Sequence, residues 1–219
     1  MRHLRRTVLV AVAAALFAVP AAAGNDAHPG GEAKVAPVGK VAGLTGGELL
    51  RESWKQVLSL PVDNRFLGHC LPLVEGKVLM PLPADDGTAI CRANRGTPLF
   101  LRFGSECSNV EDLPYFGADE AAQQACARAS DEGFQAMRIT VDNGPTIDVH
   151  TSRFELLSPQ GRVRLPANNF LGVRPQTATF AAHAWGGVVS GLRPGQHTIT
   201  FEIVHPEFAF TITTTLNVV

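Results

Sequence analysis

The sequence has little excess charge of either sign, with 19 lysines and arginines against 20 acidic residues in 219. A formal net charge of −1 and the lack of a basic patch give no sign of the electrostatic footprint that nucleic-acid binding requires. Beyond its N-terminus the chain also lacks a long apolar run, so we expect no membrane span there. The lack of a basic patch and of a long apolar run argues against nucleic-acid-binding and membrane-spanning proteins. Globular binding proteins and enzymes are the classes to consider.

Local signatures of metal and nucleophile sites are missing as well. The sequence contains no H-x-x-x-H, H-x-H or H-E-x-x-H motif and no C-x-x-C pair, so it offers no local zinc or copper site. It has no G-x-S-x-G motif, although a serine triad can assemble from distant residues. We therefore expect no cofactor, with Ca²⁺ as the one exception considered below.

The N-terminus carries the clearest pattern in the chain. Three arginines in "MRHLRR" precede the apolar "TVLVAVAAALFAV", and "PAAAG" supplies small residues in an A-x-A arrangement. This order predicts a signal peptide over residues 1–23, because the apolar run is shorter than the roughly 20 residues of a membrane span. Cleavage after Ala23 would leave 16 basic against 20 acidic residues, a net charge of −4. The predicted localisation is secreted or periplasmic.

The cysteine count fits an exported chain. An even number of cysteines in an oxidising compartment predicts two disulfides, here formed among Cys70, Cys91, Cys107 and Cys126. Four cysteines allow three pairings, and the sequence does not choose among them. Proximity along the chain favours Cys70–Cys91 and Cys107–Cys126.

The remainder of the chain changes from irregular to helical and then to β-type patterning. Residues 24–44 are rich in glycine, proline and alanine and are predicted to be a flexible linker. Thr45 and Glu48 form a capping box that predicts a helix with Trp54 on its apolar face. Short runs of period two follow, bounded by turn residues. They predict one mainly β domain over residues 45–219, a β-sandwich or jelly-roll-like fold with two short helices and two disulfides.

The two C-terminal strands show the cleanest alternation. Phe201 in "HTITFEIVH" and Phe210 in "FAFTITTTLNVV" have the apolar parity of their strands, so both are predicted to lie between two β layers. His197 shares the inward parity, which favours a core histidine with a satisfied hydrogen bond. A second helix, "ADEAAQQACARAS", places Cys126 beside a face of small residues and is predicted to lie on a sheet.

Acidic residues concentrate in the loop region 106–120. Glu106, Glu111 and Asp112 could supply hard oxygen ligands for Ca²⁺, or two carboxylates for glycoside hydrolysis. A solvated acidic loop, held at its base by a disulfide, is the favoured interpretation. The sequence leaves all three open.

Aromatic residues near turns are the candidates for stacking on a ligand. Tyr115 and Phe116 follow the acidic loop, and Trp185 precedes Gly186-Gly187, which is typical of a turn with an exposed ring. A packing role is the alternative for each of them.

Several segments, taken in order, resemble a group of uncharacterised secreted bacterial proteins: "WKQVLSLPVDNRFL", "ICRANRGTPLFLRFGSECSNVED", "ITVDNGPTIDVHTSRFELLSP" and "LRPGQHTITF". The shared features are a Trp-containing helix ending in S-x-P, four cysteines, an E-C-S acidic loop and a PG-x-HTI strand. The likeness extends from about Trp54 to the C-terminus. It implies a signal peptide, four cysteines and a β-rich domain, and it carries no activity.

The sequence favours an exported, non-catalytic binding or structural module of the cell envelope or extracellular space. Its expected partner is a protein or a polysaccharide of that compartment. The alternative is a secreted hydrolase that acts on a surface polysaccharide through acids of the 106–120 loop. Two carboxylates brought together in a cleft would favour the hydrolase, whereas acids on a convex loop would favour the module.

Overall fold

The computed structural model describes residues 33–64 and 68–219. The predicted signal peptide, residues 1–23, and residues 24–32 of the predicted linker lie outside these ranges. The elements of the described residues are β1 (Lys34–Pro37), β2 (Lys40–Val41), β3 (Leu44–Thr45), α1 (Gly46–Ser59), β4 (His69–Leu73), β5 (Val78–Leu82), β6 (Thr88–Ala93), β7 (Leu99–Phe103), β8 (Glu106–Ser108), α2 (Glu120–Ser130), β9 (Ala136–Val141), β10 (Ile147–Asp148), β11 (Glu155–Leu157), β12 (Gly161–Arg164), β13 (Thr177–Ser190), β14 (Gly195–His205) and β15 (Phe208–Val218), with 3₁₀ turns at Val62–Asn64 and Ser152–Phe154.

Most of the strands belong to two sheets. The first has the order β1-β13-β7-β5-β4, and β8, β11 and β12 also pair with β13. The second has the order β10-β9-β14-β15-β6, and β2 pairs separately with β3. The predicted fold class, a mainly β, sandwich-like domain with two helices and two disulfides, is confirmed.

The long strand β13 is the common partner of the first sheet. Strands β1, β11 and β12 pair antiparallel with successive stretches of one edge of β13. Strands β7 and β8 pair with its opposite edge in one continuous register, in which Phe103 lies opposite Trp185 and Glu106 opposite Ala182. The segment between them, Gly104–Ser105, therefore interrupts the strand but does not shift its register on β13.

Helix α1 covers the outer face of the first sheet. Its N-terminus has the predicted capping box, in which Glu48 N–H donates to Thr45 Oγ1 at 3.3 Å and Thr45 N–H donates to Glu48 Oε2 at 2.8 Å. Its apolar face, with Leu50 and Trp54, packs against buried residues of the sheet such as Phe100. The helix and the sheet thus enclose the first core.

A second core lies between the two sheets. Leu99 and Leu101 of β7 face it from the first sheet, because their parity is opposite to that of Phe100. Ile199 and Phe201 of β14 face it from the second sheet, as the alternation of β14 predicts.

The two disulfides have the pairing that proximity along the chain favours. Cys70–Cys91 joins β4 of the first sheet to β6 of the second, with Cα atoms 5.3 Å apart. Cys107–Cys126 ties β8 to α2, with Cα atoms 6.0 Å apart. Within the described residues, neither helix is long and apolar enough to cross a membrane.

The prediction of a flexible linker over 24–44 is wrong for residues 34–44. Strand β1 pairs with residues 187–190 of β13, and β2 with β3 forms a small hairpin before α1. Composition misleads here because an edge strand needs only backbone hydrogen bonds and a free neighbouring edge, which β13 supplies. Glycine and proline nearby do not prevent such pairing.

The prediction that Phe210 is buried in the core is also wrong. Phe201 is 1% exposed, whereas Phe210 is 38% exposed. Both have the parity expected from the alternation, and further along β15 Leu216 and Val218 are buried as predicted. The exposed residues are those next to the β14–β15 turn, which places Phe208 and Phe210 at the rim of the second core.

The difference between these two phenylalanines predicts unequal effects on stability. Phe201→Ala should lower the free energy of unfolding by about 3–5 kcal/mol, because it opens a cavity in a closed core. Phe210→Ala should lower it by about 1–2 kcal/mol, because part of its ring is already in water. Urea unfolding followed by circular dichroism measures both, and equal losses would contradict the burial described above.

Candidate functional site

Two adjoining cavities form a concave surface beside α1. The apolar cavity, of about 190 Å³, is lined by residues of α1, β5, β7 and the second sheet, including Trp54, Phe103 and Ile212. The acid–aromatic cavity, of about 380 Å³, lies beside it. Because Trp54 and Gly104 line both, we call the combined surface the Trp54 groove.

The acid–aromatic cavity is lined by three aromatic rings, two carboxylates and a short apolar stretch: Trp54, Gly104, Ser105, Glu106, Glu111, Tyr115, Phe170 and Leu171. The rings of Tyr115 and Phe170 are 48% and 43% exposed at the edge of this cavity. The described lining of this cavity therefore combines aromatic rings with two acidic side chains.

Trp54, at the junction of the two cavities, is held by Arg102, which also contacts the neighbouring Ser53. The guanidinium of Arg102 lies 4.0 Å from the centroid of the indole ring, and Arg102 Nε donates to Ser53 Oγ at 3.2 Å. The indole is 6% exposed, and its Nε1 has no hydrogen-bond partner in the described structure. A buried donor without an acceptor is unusual and calls for an explanation.

The break between β7 and β8 forms the floor of the groove. A side chain at Gly104 would collide with the carbonyl oxygen of His183 and with Ala184, so only glycine permits β13 to approach this closely. Ser105 N–H donates to Asp131 Oδ2 at 3.2 Å, and the Ser105 carbonyl accepts from the His183 N–H at 3.0 Å. The backbone here is fixed from both sides.

A buried pair of side chains, Asp131 and His183, lies behind this floor and connects to the more exposed Glu155 and Arg128. Asp131 Oδ2 is 2.7 Å from His183 Nδ1, and Glu155 Oε1 is 3.3 Å from His183 Nε2. Arg128 in turn contacts Glu155 at 3.2 Å. Both imidazole nitrogens can donate to these carboxylates only when His183 carries two protons. The network joins the end of α2 to β13 and supports Ser105.

The three acids predicted from the sequence have different environments. Glu106 in β8 is buried, Glu111 is half-buried, and Asp112 is exposed and does not line the groove. Ser108 Oγ donates to Glu111 Oε2 at 2.8 Å. Burial raises the pKa of Glu111 above its ordinary value, and the hydrogen bonds from Ser108 offset this only in part.

The geometry gives no support to the predicted Ca²⁺ site. Glu106 and Glu111 line one cavity, but Asp112 lies outside it. Within residues 33–64 and 68–219, no group of three histidine, cysteine or acidic side chains is placed to hold a metal ion. The acids of the loop therefore do not converge on a cation in the way that calcium coordination requires.

The two aromatic residues predicted to stack on a ligand are in different places. Tyr115 lies at the acid–aromatic cavity, near the acids with which the sequence groups it. The expectation of a turn at Trp185 is wrong, because Trp185, Gly186 and Gly187 all lie within β13. A side chain at Gly186 would meet the Leu101 carbonyl and Arg102, so this glycine permits close pairing of β7 with β13.

Sequence analysis missed an aromatic cluster at the rim of the second core. Phe134 is at its centre, with ring centroids 5.3 Å from Phe103, 5.4 Å from His205 and 6.4 Å from Trp185. Phe210 also packs on Phe103 at 5.3 Å. These five residues come from five different segments, so no local sequence pattern marks the cluster. The His183 network was missed for the same reason.

Neither a protein-family model nor a curated protein matches the chain. Two solved structures align with it. Amebosin, solved in solution, is 11% identical over 65% of this chain and 96% of its own, with a TM-score of 0.26. PbICP-C, solved in complex with falcipain-2, is 12% identical over 66% of this chain and 100% of its own, with a TM-score of 0.28. TM-scores this low support no inference about fold or function.

The raised pKa of Glu111 predicts a pH-dependent effect of its neutralisation. In the unfolded chain the carboxyl ionises near 4.5, and in the folded chain it does so at a higher pH. The stability contributed by the protonated form is therefore complete below pH 4.5 and is lost as the pH rises through the folded pKa.

Glu111→Gln removes that loss, so the melting temperature of the variant should rise relative to wild type as the pH is increased above 4.5. Scanning calorimetry at several pH values measures the difference. Asp112→Asn is the control, because Asp112 is a nearby acid outside the cavity. A trend in Glu111→Gln no larger than that in the control would contradict the prediction.

Proposed function

We propose that the protein is an exported, non-catalytic binding module that holds a surface polysaccharide in the Trp54 groove. The observation that carries the proposal is the lining of the acid–aromatic cavity. Tyr115 and Phe170 expose their rings beside a cavity of about 380 Å³ that also presents two carboxylates. Ligand sites combine a concave surface, aromatic walls and a few polar groups in this way.

The arrangement favours a sugar ligand because its parts match those of a sugar. Exposed rings such as those of Tyr115 and Phe170 offer flat apolar faces, against which the C–H face of a pyranose can pack. The carboxylates of Glu106 and Glu111 can accept hydrogen bonds from hydroxyl groups. The groove continues past Trp54 into the apolar cavity, which gives room for more than one unit of a polymer.

The proposal includes export from the cytoplasm. The N-terminal pattern of basic, apolar and small residues supports a cleaved signal peptide over residues 1–23. Two disulfides are typical of chains that fold in an oxidising compartment. A polysaccharide of the cell envelope or the extracellular space is available to a protein in that location, and the resemblance to secreted bacterial proteins agrees with it.

The test uses sedimentation with insoluble chitin, chitosan, cellulose and bacterial cell-wall sacculi. The chain should be retained by at least one of these polymers, and Phe170→Ala should weaken retention by about fivefold or more, since it removes a stacking face. Phe208→Ala is the matched control, because Phe208 is also 43% exposed but lies outside the groove. Retention by no polymer, or equal effects of the two variants, would overturn the proposal.

A secreted hydrolase that acts on a surface polysaccharide is the second candidate, and one observation favours it. Glu106 and Glu111 line the same cavity, and burial raises the pKa of Glu111. A carboxyl that keeps its proton beside an ionised partner is the pairing that glycoside hydrolysis uses. Asp112, the third acid predicted for this role, is outside the cavity.

The assay that separates the two functions is release of reducing ends from whichever polymer the chain binds. As a binding module, the protein should release none above a heat-inactivated sample. Release that Glu111→Gln and Glu106→Gln both abolish, and that Asp112→Asn retains, would instead establish the hydrolase.

A further inference from the structure

The second sheet has an open stretch of edge beside the β14–β15 turn. Strand β15 pairs with β14 along its whole length, but it pairs with β6 only from Thr213 onward. The chain before β6 turns away from β15 instead of continuing along it, and Gly87 N–H donates to the Ala84 carbonyl at 2.9 Å in that turn. Within the described part of the chain, residues 208–212 therefore have a paired strand on one side only. We call this stretch the open edge.

The register shows which backbone groups of the open edge lack a partner. Thr213 N–H donates to the Gly87 carbonyl at 2.9 Å, so the backbone groups of Thr213 point away from β14. Because alternate residues of a strand direct these groups to the same side, those of Thr211 and Ala209 point away from β14 too. Neither residue makes a backbone hydrogen bond on that side within residues 33–64 and 68–219. Gly87 lies against the Thr211 carbonyl, which leaves the Ala209 N–H, the Ala209 carbonyl and the Thr211 N–H open.

Other edge strands of the two sheets have features that oppose the addition of a strand. Prolines and charged residues on an edge, or a very short strand, hinder pairing with another chain. Strand β1 contains Pro37, β4 contains Pro72, and β10 has only two residues. The open edge, "FAFTI" over residues 208–212, contains neither a proline nor a charged residue. Its Phe208 and Phe210 are 43% and 38% exposed, and exposed apolar side chains beside unpaired backbone groups are typical of an interaction site.

A concave surface of about 430 Å³ lies along the open edge. Its described lining is formed by residues 83–87, which precede β6, and by residues 210–212 of β15. Exposed acidic residues lie at both ends of the open edge, with Asp85 and Asp86 near β6 and Glu207 in the β14–β15 turn. Basic residues at the ends of a bound segment would complement these charges.

We propose that the open edge binds an extended peptide segment of a partner protein, which adds to the second sheet as a further strand. An extended peptide is the ligand whose own N–H and C=O groups repeat at the spacing of the edge. Side chains on one face of the added strand would lie beside Phe210 and Ile212, so the segment is apolar at alternate positions. The site is separate from the Trp54 groove, and the proposal does not depend on polysaccharide binding.

The size of the open edge favours a peptide over a second copy of the chain. A stable interface between two folded proteins buries about 1,200–2,000 Å² in total. Three backbone groups and two partly exposed rings offer much less than that. The turn formed by residues 83–87 also stands beside the open edge, so the space between them suits a single strand better than the edge of another sheet.

The probe is a blocked heptapeptide with lysine at each end and valine alternating with threonine between the two lysines. Amide hydrogen exchange of the isotope-labelled protein, measured by NMR, reports where it binds. With the peptide in excess, the Ala209 and Thr211 amides should exchange at least about tenfold more slowly. The Phe210 and Ile212 amides are internal controls, because they point to β14 and are already paired, and their exchange should change less.

A pair of variants at one position tests the open backbone donor. Ala209→Pro removes the outward N–H but no hydrogen bond of the β14–β15 ladder, and proline is tolerated where the N–H of an edge strand faces solvent. It should weaken peptide binding by about tenfold or more, measured by fluorescence anisotropy. Ala209→Val keeps the N–H and suits a strand, so it should leave the affinity within about twofold of wild type. Melting temperatures show whether both variants are folded.

A second peptide keeps the test decisive if Ala209→Pro does not fold. The same heptapeptide with all of its internal amide nitrogens methylated cannot donate to the Ala209 carbonyl, so it should not bind the wild-type protein. Equal affinity for the two peptides, or protection that does not favour Ala209 and Thr211 over Phe210 and Ile212, would overturn the proposal. Dimerisation in analytical ultracentrifugation that Ala209→Pro abolishes would overturn it in favour of a second copy.

Discussion

The pairing of β13 along both of its edges is the constraint on which the rest of the structure depends. Five strands hydrogen-bond to it, and β7 and β8 occupy one edge in a single register. Backbone pairing this dense requires small residues where neighbouring strands approach. Gly104 and Gly186 meet that need, because a side chain at either would strike the adjacent backbone. Gly104 also lies in the break between β7 and β8 and lines both cavities of the groove.

The polar network behind the floor follows from the same constraint. Where the ladder is interrupted, the backbone groups of Ser105 need other partners, since buried N–H and C=O groups are almost always paired. Asp131 supplies one acceptor and the backbone of His183 supplies one donor. The Asp131 carboxylate is in turn hydrogen-bonded to His183 Nδ1 at 2.7 Å. Removal of the imidazole would leave a buried carboxylate oxygen without this partner. The effect of the network is to fix the position of the segment that leads into Glu106.

Much of the fold could be predicted from the sequence, because its signals are local. The capping box of Thr45 and Glu48, the alternation of β14 and the pairing of cysteines by proximity all depend on residues close in the chain. The failures have a common physical cause. Alternation tells which face of β15 Phe210 occupies, but not how far the opposite sheet extends, so its exposure could not be predicted. Likewise the glycines after Trp185 are compatible either with a turn or with a closely paired strand. The close approach of β7, which is distant in sequence, is what makes them part of a strand.

The candidate site could be predicted only in part, for a related reason. Glu106, Glu111 and Tyr115 lie in one loop region, so the sequence groups them correctly, but Phe170 and Trp54 reach the same cavity from distant segments. The sequence also could not separate Asp112 from the other two acids, since its exclusion depends on the direction in which the loop turns.

The cavity brings together three features that each cost stability. Glu111 is half-buried, the Trp54 donor has no hydrogen-bond partner in the described structure, and the rings of Tyr115 and Phe170 are partly exposed. The costs are desolvation, a lost hydrogen bond and exposed apolar area, respectively. In the proposed function one event relieves all of them, namely the entry of a ligand with an acceptor, a polar group and an apolar face. The coincidence of these separate costs at one concave surface supports that proposal.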